Sequence, residues 1–194
     1  MRGPGDATSV DATSFAALVR ARRTSLLLDR DRPVPDDLID TLVELATWAP
    51  NHKRTWPWRF AWITGEGRSR LGDAAAEAMA VRGDDTAKVT KTRTKYLRAP
   101  GVLVVGSDPG DTPLRAIENR DAVAAAVQIL LLGATAHGLA SFWSSCPKGA
   151  EEPVGAVCGF PPGAAVVAMI YVGWPTGEVE VPVRPTPAVH RIDT

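Results

Sequence analysis

The chain has 194 residues, 45% of them hydrophobic, which is enough for one compact domain with a sizeable buried core. Its 22 basic residues balance 22 acidic ones, so no long-range field draws it onto nucleic acid or an anionic membrane. Two cysteines without a CxxC or ligand-like spacing exclude a disulfide framework and fit a reducing cytoplasm.

The first stretch, "MRGPGDATSVDATSF", has one basic residue, two acids and no apolar run, which excludes a secretory signal. Residues 1–14 read as a flexible leader and 15–194 as a single domain. Phe15, Leu18 and Val19 recur at helical spacing until "RARRTS" interrupts them. "VPDDLIDTLVELATWAP" predicts a second helix, with acids in its first turn and Pro50 as its stop. Leu38, Ile39, Leu42, Val43, Leu45 and Ala46 form its inward face. "WRFAWIT" alternates, with Trp58, Phe60 and Trp62 on one side, as a strand between unlike neighbours does. Ser69 to Ala80 reads as an exposed, alanine-rich helix. "KVTKTRTKYLR" sets five cations along about three helical turns, and "APGVLVVGS" is a continuous apolar run, a strand covered on both faces.

"NRDAVAAAVQILLLGATAHGLA" is apolar on nearly every side and predicts a buried central helix, with Gly138 placed for a left-handed cap. Its apolar part, interrupted by Gln128 and Thr135, is shorter than the roughly 20 residues of a membrane crossing, so a soluble protein is expected. After the loop "GFPPGA", "AVVAMIYVG" supplies another doubly covered strand. The proline-rich tail "PVRPTPAVHRIDT" cannot form a regular helix and is expected to extend along a neighbour. No repeat and no linker divides the chain, and the interleaved elements make an α/β or α+β layer structure.

Two segments carry chemistry. "RARRTS" gathers Arg20, Arg22, Arg23, Thr24 and Ser25, the charge, forked donors and hydroxyls that a phosphate needs. A solvated basic turn has the same composition. Neither GxGxxG nor GxxxxGK[ST] is present, which argues against a Rossmann or P-loop site. "APNHKRTWPW" combines edge-on donors and acceptors with apolar surface, as a planar heteroaromatic ligand requires. A packed turn, with Asn51 capping, His52 on a carbonyl and the tryptophans in the core, fits the same letters. His137 and His190 have no partner at metal-ligand spacing, so no metal site is assigned. Cys146, in "FWSSCP", has no basic neighbour in sequence to hold a thiolate, and no G-x-S-x-G elbow suggests a hydrolase.

Taken in order, "RARRTS", "PVPDDLIDTLVELATWAPNHKRTWPWRF", "RAPGVLVV", "AVAAAVQILLLGATAHGLASFW" and "VVAMIYVGWP" resemble the nitroreductase family of FMN-dependent oxidoreductases, its short single-domain bacterial members above all. The likeness runs from about Phe15 to the end. Its most specific element is A-P-N-H-K followed closely by P-W-x-F. The resemblance implies an α+β fold, a three-layer sandwich whose central, mostly antiparallel sheet is flanked by helices. It also implies an intertwined homodimer that holds FMN without covalent linkage at its interface. Hydride is then taken from NAD(P)H in a ping-pong cycle, and nitro, quinone or similar conjugated acceptors are reduced.

The resemblance assigns residues as well. Arg22, Arg23, Thr24 and Ser25 match the phosphate-binding turn, and Arg184 the C-terminal arginine that closes over the same phosphate. Pro50, Asn51 and His52 match the loop that one subunit presents to the flavin ring held chiefly by the other, with Trp58 behind them. Lys95, with Arg93 close behind, matches the cation near the ring's pyrimidine edge. Trp143, Ser144 and Ser145 match the segment that offers backbone N–H groups to the ring's reactive nitrogen. No residue is expected to act as acid or nucleophile, because the chemistry belongs to FMN. Two departures stand out: Leu26 to Leu28 replace a second cation, and Trp56 replaces a small polar residue before P-W. They keep open a second reading, an FMN-storing protein with little turnover, and a third, a decayed site that binds no flavin.

Overall fold

The structure, a computed structural model, describes residues 11–192. Of the expected leader, residues 1–10 lie outside the described residues. Asp11 caps helix α1 (Ala12–Ala21) by accepting the Thr13 and Ser14 N–H groups at 3.2 and 2.9 Å. No residue of helix α1 is fully buried, and Phe15 and Val19 stay exposed. Helix α2 (Asp36–Ala46) buries Ile39, Leu42 and Ala46, with Leu38 and Val43 packed at the edge of the stripe. Leu45, expected inward, lies at that margin on the exposed side.

Four strands form one antiparallel sheet in the order β1-β2-β4-β3: β1 (Trp58–Thr64), β2 (Gly101–Ser107), β3 (Ala140–Ser144) and β4 (Ala165–Gly173). Strand periodicity sorts the side chains into two cores. On one face Trp58, Phe60, Trp62, Leu103, Val105, Ile170 and Val172 meet α2 and the long helix α5 (Pro113–Ala136). On the other, Val102, Val104, Met169 and Tyr171 meet α3 (Gly67–Val81), α6 (Glu151–Val157) and the buried Tyr96. A bulge opposite Val105/Gly106 leaves Val167 as an extra residue, so Val167 and Ala168 both turn toward α5. The result is a helix–sheet–helix sandwich of α+β class, as expected.

The central pair β2 and β4 is buried along nearly its whole length, matching the two continuous apolar runs. Helix α5 starts at Pro113, capped by Thr112, which accepts the Arg115 N–H at 3.1 Å; this is six residues before the predicted Asn119. Gly138 follows its end at φ +75°, the left-handed geometry expected there.

Helix α3 corrects a prediction. It is alanine-rich but not exposed, because Leu71, Gly72, Ala75, Ala76 and Met79 are buried, and Gly72 lies against the Arg93 carbonyl of helix α4 (Thr86–Thr94). Small side chains let two helices approach. The five-cation segment divides into α4 and a 3-10 turn over Lys95–Arg98. Strand β3 and helix α6 had no clear sequence signal.

Beyond Gly173 the described chain takes no regular form and is exposed apart from the half-buried Trp174 and Val179, after a bridge between Leu28 and Pro175 and a 3.0 Å bond from the Thr176 N–H to the Leu27 carbonyl. Among the described residues no helix is long and apolar enough to cross a membrane.

Candidate functional site

The arginine turn leaves α1 and runs along the outer edge of β3. Thr24 bridges to Ser141, and the Ser25 N–H donates to the Ser141 carbonyl at 2.9 Å. Ser25 is buried and its hydroxyl accepts the Leu27 N–H at 3.1 Å, so this side chain shapes the turn from inside. The Arg23 guanidinium folds back onto the Arg20 and Arg22 carbonyls, and its Nε is buried without a partner. An unpaired buried donor is costly. The tail returns here: Arg22, Arg23, Thr24, Pro182 and Arg184 line an open cavity of ≈ 310 Å³, with Glu180 as its one acid. Residues 160 apart in sequence therefore converge on one cationic hollow.

From the contact at Ser141, β3 runs on to Ser144. Trp143 is half-exposed, Ser145 is exposed, and past Ser141 no described strand covers this edge, so main-chain donors remain open. Lys95 reaches the same end of the sheet. Its ammonium sits 4.9 Å from the centre of the Tyr96 ring. Burial pulls its pKa below the ordinary lysine value, an effect partly offset by the Cys146 sulfur and reinforced by Arg98. Cys146 thus has a cation nearby in space, although none adjoins it in sequence. Burial nevertheless dominates and pushes the thiol up to about 12, which makes it packing rather than a nucleophile. Arg93, the second choice for this cation, is engaged elsewhere, on Asp73 at 2.6 Å.

The proline-led loop is built differently from a capped turn. Asn51 caps nothing; its Oδ1 accepts the Trp56 N–H at 2.9 Å and its Nδ2 donates to the Thr55 hydroxyl at 3.0 Å. Thr55 in turn donates to Asn119 Oδ1 on α5 at 2.7 Å. This network holds three non-glycine residues in the left-handed region, Lys53, Arg54 and Trp56, at φ 59°, 53° and 49°. Such backbone costs on the order of 1 kcal/mol or more per residue and persists only where neighbours over-determine it. Trp56 is displayed by it, more than half exposed, with its ring edge-on to the buried Trp58 at 5.9 Å.

His52 bonds not to a carbonyl but to a carboxylate. Its Nδ1 lies 2.8 Å from Glu118 Oε1, while Arg115 donates to the other oxygen at 2.7 Å. Pro50, Asn51 and His52 line a shallow hollow of ≈ 450 Å³ over α5. Glu118, Arg115 and Asn119 were not among the predicted site residues; only the Arg115–Glu118 spacing of three hints at a pair in the sequence.

The predicted residues therefore form two groups. Arg22, Arg23, Thr24, Ser25, Trp143, Ser144, Ser145 and Arg184 gather along β3, and Lys95 lies near its end. Pro50, Asn51 and His52 precede β1, the opposite edge of the sheet. Three interstrand spacings, roughly 14 Å, separate the two edges. Within the chain the two groups line separate hollows.

Comparison with known proteins agrees with this architecture. The chain is 29% identical over 170 residues to YfhC of Bacillus subtilis, a proposed NAD(P)H nitroreductase, covering 86% of this chain and 87% of that one. It superposes on a nitroreductase-like family protein from Bacillus cereus with a TM-score of 0.74 and 29% identity, covering 91% and 94% of the two chains. NfnB of Mycobacterium smegmatis, an FMN-dependent nitroreductase crystallised with NADPH, shares the fold at a TM-score of 0.73 and 22% identity, with coverage of 93% and 99%. The family model described as Nitroreductase family matches residues 19–174, from the end of α1 through β4, and the chain belongs to that family.

Proposed function

We propose that this chain is an FMN-dependent oxidoreductase. In this reading it takes hydride from NAD(P)H, releases the oxidised nucleotide, and passes the electrons to nitro, quinone or similar conjugated acceptors in a ping-pong cycle. It works as a cytoplasmic homodimer, with FMN in the seam between subunits. The observation that carries the proposal is the cationic hollow of Arg22, Arg23, Thr24 and Arg184, formed by both ends of the chain, in a member of the nitroreductase family.

The donor set suits the cofactor. Arg22 and Arg184 supply charge and forked donors for a phosphate, Thr24 adds a hydroxyl, and the partnerless Arg23 Nε is one more donor for an anion. Lys95 and the outward-facing N–H groups of alternate residues at Trp143 and Ser145 suit a ring that gains negative charge on reduction, since fixed donors in place need no reorganisation. FMN supplies the hydride-accepting and hydride-donating chemistry when bound. The loop of Pro50, Asn51 and His52 then comes from the second subunit, which accounts for its place on the opposite edge of the sheet. Trp56 and Trp143 offer apolar faces to a flat acceptor.

Flavin content and anaerobic reduction test the proposal together. The purified protein is expected to be yellow, or to become so with FMN, and to bleach on addition of NADPH or NADH. Colour that persists with both donors would favour FMN storage, the reading that Leu26–Leu28 motivates. Protein that stays colourless after incubation with FMN would reject both.

A further inference from the structure

The loop that carries His52 is held from beneath by three residues of α5's first turns, and one of them does more than hold it. An ionised carboxylate has no proton to give, so the 2.8 Å contact between Glu118 Oε1 and His52 Nδ1 requires Nδ1 to carry the hydrogen. Glu118 is kept in that state. Its carboxyl is held below the usual glutamate range, first by the bond to His52, against the opposing effect of burial, with the charges of Arg115 and Lys53 adding to it. Arg115 donates to Oε2 at 2.7 Å and fixes the direction in which the carboxylate points. The other ring nitrogen, Nε2, is the one left for a ligand in the hollow beside Pro50 and Asn51.

We infer that Glu118, itself oriented by Arg115, is a positioning residue that fixes the proton of His52 on Nδ1 and presents Nε2 to the bound ligand as a hydrogen-bond acceptor. The inference rests on the reading of His52 as a residue facing the flavin and acceptor. It is the arrangement by which a carboxylate selects the tautomer of a functional imidazole. Sequence spacing does not reveal it, because 66 residues separate the partners.

Glu118→Gln tests it sharply. Arg115 can only donate, so it takes the amide oxygen of the new side chain and leaves the amide NH2 facing His52. Nδ1 must then accept, and the hydrogen moves to Nε2. Removing Arg115 as well, in E118Q with R115M, frees the amide to rotate and to offer His52 either its oxygen or its NH2, so that neither tautomer is dictated. The chain has three histidines, so nitrogen-15 spectra of the FMN-loaded full-length protein, with H52A for assignment, resolve the tautomer of each. The expected results are Nδ1–H in the wild type, Nε2–H in E118Q, and a mixture of the two tautomers in the double variant. Benzoquinone reduction with NADPH should fall at least tenfold in E118Q with FMN content unchanged, and recover in part in the double variant.

Nε2–H in the wild type overturns the inference at once, whether or not E118Q folds. So does a tautomer that E118Q fails to move, or unchanged turnover in E118Q. A wild-type protein that binds no FMN would instead defeat the function on which the inference rests, and the same spectra still report the tautomer separately.

Discussion

Arg22, proposed above to hold the FMN phosphate, shows how little of such a role is visible in the fold that displays it. Its side chain lines the hollow beside Arg184 and lies outside both hydrophobic cores. Arg22→Ala should therefore leave the thermal midpoint within a degree or two, since partly exposed residues of this kind contribute little to stability. The same change should weaken FMN binding about 10- to 100-fold, as loss of a charge-assisted hydrogen bond of about 1.5–3 kcal/mol implies. Titration of the apoprotein with FMN measures it, and undiminished affinity would remove Arg22 from the phosphate site. The cysteines show the opposite case, half-buried groups whose thiols are held neutral. Burial pushes Cys146 and Cys158 up to about 12 from an ordinary value of 9, with Glu151 adding to the rise at Cys146 and Lys95 opposing it. Both thiols should resist iodoacetamide at pH 8 in the native protein and react quickly once it is unfolded. Because the folded state holds the neutral form, their contribution to stability is complete below pH 9. It is lost progressively as the pH rises from 9 through about 12. A urea midpoint that stays level across that alkaline range would contradict the shift.

Elements were readable where one period dominates a long stretch. The apolar runs of β2 and β4, the alternation of β1 and the all-round apolarity of α5 each pointed to the structure observed. Elements whose burial depends on distant partners were not. Strand β3 has five residues with mixed burial, and α6 is a seven-residue helix containing a proline. Helix α3 looked exposed because alanine and glycine carry no periodic signal of their own, yet their smallness is what admits α4. Gly72 makes this testable. A Cβ there would stand 2.1 Å from the Arg93 carbonyl oxygen, and backbone cannot swing aside as a long side chain can. Gly72→Ala should cost about 1–3 kcal/mol despite alanine's better helix propensity. Denaturant unfolding reads it, and a neutral or stabilising result would mean that α3 and α4 are not packed as described. The arginine turn and proline-led loop were readable only as residue types. That Asn51 braces Trp56 and that Glu118 holds His52 arises from contacts across the fold, on which spacing is silent.

The whole molecule raises the question of how two groups of proposed site residues on opposite sheet edges would serve one ligand. The symmetric dimer proposed above would answer it, because a two-fold axis would set the loop of each chain against the β3 edge of its partner and make two equal sites. The exposed apolar side chains of α1 and of the tail, Phe15, Val19, Val181 and Val183, are consistent with such a seam. Complementation puts this to a direct test. One variant, Arg22→Ala, damages the β3 side of the site, and another, Asn51→Ala with His52→Ala, damages the loop side. Each homodimer then has two defective sites. In a mixed dimer, one site receives both lesions and the other receives neither, since its turn comes from one chain and its loop from the other. Random assembly makes half of the dimers mixed, so about one quarter of all sites regain full function. Unfolding the two variants together and refolding them, or co-expressing them, should therefore restore roughly that share of wild-type quinone reduction. Refolding them separately and then combining them without exchange should restore none. Were each site built within a single chain, the mixed dimer would contain no intact site, and activity would stay at the level of the variants alone.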